Sequence, residues 1–103
     1  MAAQQRRVVW TDQAQRMRDA AIAYVAQDSR PAAQRLLIRA LDTAASLDIL
    51  SERGRVVPEF NQPTVRELFV HRYRLIYEVT SAEVQVLAFV HGARDLTRLQ
   101  LDR

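Results

Sequence analysis

Apolar and polar positions follow two different periods along the chain, and the change falls in an irregular stretch at residues 55 to 63. Before it the spacing is helical. Ala14, Met17, Ala21 and Tyr24 share one face, which predicts an amphipathic helix over residues 12 to 27. Thr11 offers an N-cap hydroxyl, and Asp12 puts negative charge at the positive end of the helix dipole. A break at residues 28 to 31 follows, with Pro31 suited to a first helical position and Ser29 or Arg30 near the cap. Ala33, Leu37, Ala40, Leu41, Ala44 and Leu47 continue a second stripe to about Leu50, with Gly54 as its stop. So short a joint makes the two helices an antiparallel hairpin.

After the irregular stretch, read as a loop with two prolines, the period becomes two. Residues 65 to 70 (VRELFV), 73 to 79 (YRLIYEV) and 84 to 90 (VQVLAFV) are rich in β-branched and aromatic residues and read as strands. His71 with Arg72, and residues 80 to 83, are the turns between them. With the run RRVVW at residues 6 to 10, the order is β-α-α-β-β-β. That is an α+β fold with a helical hairpin packed on one face of an antiparallel sheet. Alternation puts Tyr73, Leu75, Tyr77 and Val79 on one face of the middle strand and Arg74, Ile76 and Glu78 on the other. The second face is expected to be partly open. Trp10 and Tyr24 are expected in the core, the common place for lone aromatics beside an apolar stripe.

Composition narrows the class. At 103 residues the chain has room for a single domain over residues 1 to 103, and a core of this size needs no staples. It has no cysteine, which excludes disulfides and thiolate metal sites. No run is long and apolar enough to span a bilayer, and the first ten residues lack the apolar stretch of a signal peptide, so a cytoplasmic protein is expected. The net charge is +3, carried by fifteen arginines without a single lysine. Such a balance suits nucleic acid or an acidic protein partner equally.

Few residues carry chemistry. The only glycines are Gly54 and Gly92, so no phosphate-cradling loop exists, and no serine sits in a nucleophile elbow. Two separate histidines, His71 and His91, make a poor metal site. No cofactor and no metal are expected. What remains is a set of arginines with one histidine: Arg66 and Arg74 on adjacent strands, His91 and Arg94 after the last one. These are either solvated surface residues or a group that holds a phosphate beside an imidazole acid or base. Arg55, with Arg53 across Gly54, is either part of an anion-binding loop or a cation at a solvated helix end. Glu59 is a candidate general base, or an exposed loop residue, or the ion-pair partner of an arginine.

Four blocks then carry a resemblance: GRVVPEF (residues 54 to 60), VRELFV (65 to 70), YRLIYEV (73 to 79) and VLAFVHGARDL (86 to 96). In order and spacing they resemble the C-terminal half of ParE-type toxins of the ParE/RelE superfamily. The N-terminal half resembles that family in its helical hairpin after a short strand. The resemblance implies a RelE-like fold and a toxin of a type II toxin–antitoxin system, of the kind associated with plasmid stabilisation. It also implies a cognate ParD-like antitoxin, bound as a hetero-oligomer, whose C-terminal segment wraps the toxin.

The resemblance leaves the target divided. ParE-like members poison DNA gyrase, whereas RelE-like members cleave messenger RNA in the ribosome with a basic residue set. Arg66, Arg74 and His91 stand where a nuclease set would be. The chain lacks the loop lysines of the RelE type, and His91 is followed by Gly92, Ala93 and Arg94 rather than an aromatic. GRVVPEF and HGARDL are closer to ParE, so inhibition of gyrase is expected, without catalytic residues. Target or antitoxin contacts are then expected at Arg55, Glu59, Arg66, Arg74, His91 and Arg94. The surfaces that hold them are the open sheet face, the 54 to 63 loop and the tail at residues 95 to 103. Cleavage of messenger RNA is the alternative, and an inert toxin kept only to bind its antitoxin is a third.

Overall fold

The structure, a computed structural model, describes residues 4–101; Met1 to Ala3, with Asp102 and Arg103 at the end of the tail named above, lie outside the described residues. The elements run β1 (Arg7–Trp10), α1 (Asp12–Ala26), α2 (Arg30–Ala45), a single 3₁₀ turn (Ser46–Asp48), β2 (Arg55–Val56), β3 (Val65–Val70), β4 (Tyr73–Val79) and β5 (Glu83–His91). Both helices start where their caps lie. The Thr11 hydroxyl accepts from the Ala14 N–H at 3.1 Å, and the Ser29 hydroxyl accepts from the Ala32 N–H at 3.2 Å.

The expected α+β arrangement is present: the helical hairpin covers one face of a five-stranded sheet. The strand order is β1-β5-β4-β3-β2. Strands β2 to β5 pair antiparallel, and β1 joins the β5 edge in parallel, which makes the sheet mixed. The parallel pair joins strands at the two ends of the chain order, with the helical hairpin and three strands between them, which meets the need of parallel strands for a long connection. Between Ile76 and Tyr77 the β4–β5 register slips by one, so Leu87 on β5 has no Cα partner on β4. The slip is a β-bulge and adds local twist.

The sequence reading fails at several places. Regular α-helix stops at Ala45, and the 3₁₀ turn carries the chain only to Asp48, short of Leu50. Gly54 is not its cap. It is buried at the start of β2, where an added Cβ would lie 2.6 Å from the Glu67 carbonyl and 2.6 Å from the Tyr77 hydroxyl. The stretch read as loop holds β2, whose two residues pair with Arg66 and Glu67; a two-residue strand is too short to leave a periodic signal. Inside α2 the buried stripe is Ala33, Leu36, Ala40 and Ala44, so Leu41 points outward.

Another failure concerns the second sheet face, which is covered. Leu75, Tyr77, Val84, Val86 and Phe89 pack under the helices with Leu36, Ala40 and Leu47. On the other side Val65, Ile76, Ala88 and Val90 pack under Val57 and Leu96, with Phe60, Leu99 and Leu101 at the margin. The segment after β2 and the chain beyond β5 thus roof this face. Side chains buried this fully contribute about 1.5–3 kcal/mol each, so the roof is part of the fold. Trp10 packs against the helix-side core, with the Arg18 guanidinium 4.8 Å from its ring centre. Tyr24 does not join it and is 69% exposed.

Candidate functional site

Period-two alternation sends Glu67 of β3 and Arg74 of β4 to the roofed face, and the roof brings their partners. Glu67 is 1% exposed and Arg74 is 4% exposed. The Arg74 Nε donates to Glu67 Oε1 at 2.6 Å. The other end of the same guanidinium grips Glu59 with both nitrogens, Nη1 to Oε2 at 2.8 Å and Nη2 to Oε1 at 2.9 Å. Arg55, the cross-strand partner of Glu67, donates its Nε to Glu67 Oε2 at 2.5 Å. Its guanidinium also stands 5.9 Å from the centre of the exposed Phe69 ring.

Two cations thus meet two carboxylates, which is what lets the charges stay buried. The hydrogen bond from Arg74 holds the Glu59 carboxyl down at about 2, against the opposing effect of burial. The bonds from Glu59 and Glu67 raise Arg74 above the ordinary guanidinium value. A planar guanidinium fork filled by carboxylates on both edges has no donor pair left for a phosphate. Chemically the cluster is a clamp that fixes the roof segment to the sheet.

Arg66 lies on the opposite face. Its Nη1 donates to the Gly54 carbonyl at 2.8 Å and to the Glu52 carbonyl at 3.3 Å. The Gly54 N–H donates to the buried Tyr77 hydroxyl at 2.9 Å. Burial is the main cause that raises the Tyr77 phenol above its usual value. Arg53 does not join an anion loop with Arg55; its Nη1 donates to the Ser46 hydroxyl at 2.7 Å.

At the far end of the sheet His91 pairs with Tyr73, the two rings meeting edge to face at 5.7 Å, and His91 Nδ1 accepts from the Ala93 N–H. Tyr73 in turn stacks on Phe89 at 5.0 Å. Here a groove of about 460 Å³ opens between the C-terminal end of α1, the first turns of α2 and the β3–β4 turn. Tyr24, Arg35, His71, Arg72, Tyr73 and His91 line it above a floor that includes Val25 and Leu36. His71 adopts φ 53°, the left-handed conformation a two-residue hairpin turn demands, and Arg39 Nη1 lies 3.1 Å from its Nε2.

A third feature is the outer surface of α2. Ile38 is 58% exposed and Leu41 41%; Ile49 and Leu50 beyond the helix are exposed as well. Positions 38, 41 and 45 recur at helical spacing within α2 and are exposed, so an apolar strip runs along this helix, with Ile49 and Leu50 just past its end.

Of the six residues singled out from sequence, the fold brings Arg55, Glu59 and Arg74 together. Arg66 and His91 lie away from that cluster, and Arg94 is exposed past β5, with its N–H on the His91 carbonyl. Glu59 takes the ion-pair option. The reading missed Glu67, although a signal existed: it is the one carboxylate at an inward position of VRELFV, diagonal to Arg74 across two strands. It also missed Tyr24, Arg35 and Arg72, which come together from three separate segments.

Comparison with known proteins agrees with this architecture. Among solved structures the chain is similar to one described as "Chromosomal ParDE TA system from P. aeruginosa", with a TM-score of 0.69 and 21% identity. The match covers 84% of this chain and 96% of that chain, and at this identity it is a likeness of fold. No curated protein matches the chain. Residues 8–96, from β1 to the buried Leu96, match the family described as ParE toxin of type II toxin-antitoxin system, parDE, and the chain belongs to that family.

Proposed function

We propose that the chain inhibits growth by acting on DNA gyrase, and that a ParD-like antitoxin neutralises it in a cytoplasmic hetero-oligomer. The observation that carries gyrase over messenger RNA is the state of the would-be nuclease set. Arg74 is buried with its fork filled by Glu59 and Glu67, Arg66 faces the other side of the sheet, and His91 belongs to the groove beside Tyr73. A scissile phosphate needs donors that converge on one point, and these three do not. Family membership supports the toxin reading, and the expected contact residues are Arg55, Glu59, Arg66, His91 and Arg94; Arg74, buried in the clamp, drops out of that set.

The exposed strip on α2 supports the antitoxin reading. A contiguous run of large apolar side chains on a small chain marks a surface that a partner covers. An amphipathic segment that orders as it binds would bury Ile38 and Leu41 in the usual helix-in-groove manner. The test is inducible expression with and without an antitoxin of the ParD type, followed by growth and the DNA-damage response. The proposal expects filamentation and an induced damage response, both suppressed by the antitoxin. Rapid arrest of translation without a damage response would transfer the assignment to messenger-RNA cleavage.

A further inference from the structure

We propose that the groove at the turn end of the helical hairpin, beside the joint between α1 and α2, binds a single-stranded nucleic-acid segment, with one base stacked on Tyr24 and phosphates on Arg35 and Arg72. Charge is the first argument. Four arginines elsewhere in the described residues meet carboxylates: Arg7 with Glu83, Arg18 with Asp19, and Arg55 and Arg74 with Glu59 and Glu67. None of those ion pairs uses Arg35, Arg39 or Arg72, and the residues that line the groove include no carboxylate. Two guanidiniums and two imidazoles therefore face one concavity with no counter-charge in its wall.

Shape and surface supply the second argument. The groove, at about 460 Å³, is of a size that small ligands and nucleotide units occupy. Tyr24 is 69% exposed at the groove, and Tyr73 also lines it. Cations beside exposed aromatic faces are the pattern of single-strand binding, where every base offers a π-face and the backbone follows the positive charge. A peptide of acidic residues alone would satisfy the guanidiniums but has no aromatic ring to stack on Tyr24. The site uses neither Arg66 nor Arg74 and shares only His91 with the residues named for the gyrase proposal and the RNA-cleavage alternative, so variants of Tyr24, Arg35 and Arg72 separate it from both.

The test is fluorescence anisotropy of a labelled oligothymidylate with the purified full chain. Saturable binding is expected, with a log–log salt slope of about −1.4 for two phosphate contacts. Tyr24→Ala is expected to weaken binding about tenfold. Arg35→Ala or Arg72→Ala should each bring the slope to about −0.7, whereas Arg16→Ala on the exposed side of α1 should leave it unchanged. All four side chains are solvent-facing, so circular dichroism melts should match the parent. Absence of saturable binding overturns the proposal, as does binding indifferent to Tyr24→Ala. So does a poly-glutamate peptide that binds more tightly through the same residues, or thymidine monophosphate that binds as tightly as the strand.

Discussion

Arg66 and Arg74 stand on neighbouring strands and face opposite sides of the sheet. Arg66 pairs in register with Tyr77 and reaches the Gly54 carbonyl, whereas Arg74 pairs with Phe69 and bonds Glu67. Glu67 is the residue next to Arg66, so the alternation of one extended strand separates the two guanidiniums. Proximity in sequence suggested a shared site; the pleat divides it into a backbone brace on one side and a charge clamp on the other.

The clamp is expected to behave as a structural unit. Glu67→Gln leaves buried Arg74 without its innermost carboxylate, and the cost should be about 3–5 kcal/mol in urea unfolding. Replacing both members with apolar residues of similar volume, Glu67→Leu with Arg74→Met, should cost less than the single change, because no buried charge is then left unpaired. A nuclease reading of Arg74 predicts instead a stable variant that has lost toxicity.

Glu59 gives the clamp a pH signature. Its carboxyl lies at about 2 in the folded chain against an ordinary 4.5. A depressed folded value means that the stabilisation is fully present above the ordinary value and is lost as pH falls from 4.5 towards 2. Glu59→Gln should flatten the stability profile across that window. Parallel profiles for parent and variant, from urea midpoints on either side of the window, would show that Arg74 contributes nothing through Glu59.

Gly54 is required for its lack of a side chain. A Cβ there would press on the Glu67 carbonyl and the Tyr77 hydroxyl at 2.6 Å, and it would strain the bond from the Gly54 N–H to Tyr77. Gly54→Ala is expected to cost at least about 2 kcal/mol, seen as a drop in Tm on the order of 10 °C. An unchanged Tm would mean that β2 shifts freely.

The strip on α2 separates binding from folding. Ile38→Lys and Leu41→Lys alter exposed side chains and should change stability by no more than about 0.5 kcal/mol. Each should weaken capture of a ParD-like antitoxin by about thirtyfold, measured by co-purification or calorimetry, while toxicity in its absence persists.

Much of this fold was legible in the sequence, and the reasons are local. Caps at Thr11 and Ser29, helical spacing through Ala14, Ala21, Ala33 and Ala40, and alternation through YRLIYEV each report on neighbours in the chain. The roof over the second face was not legible, because Val57, Phe60, Leu96 and Leu99 are isolated apolar residues in aperiodic segments whose partners lie across the sheet. Arg74 looked solvent-facing for the same reason: alternation gives its face, not what covers that face. Tyr24 looked like core because it continues the stripe of α1, yet it is left exposed at the rim of the groove, since periodicity gives a helix face and not what packs against it.

The most direct measurement of the central claim is a supercoiling assay with purified DNA gyrase, relaxed plasmid and rising amounts of the purified chain. Loss of supercoiling, with cleaved plasmid accumulating and both effects abolished by a ParD-like antitoxin, is the predicted result. Gyrase that stays fully active at high toxin excess, while the same preparation cleaves messenger RNA on translating ribosomes, would contradict it.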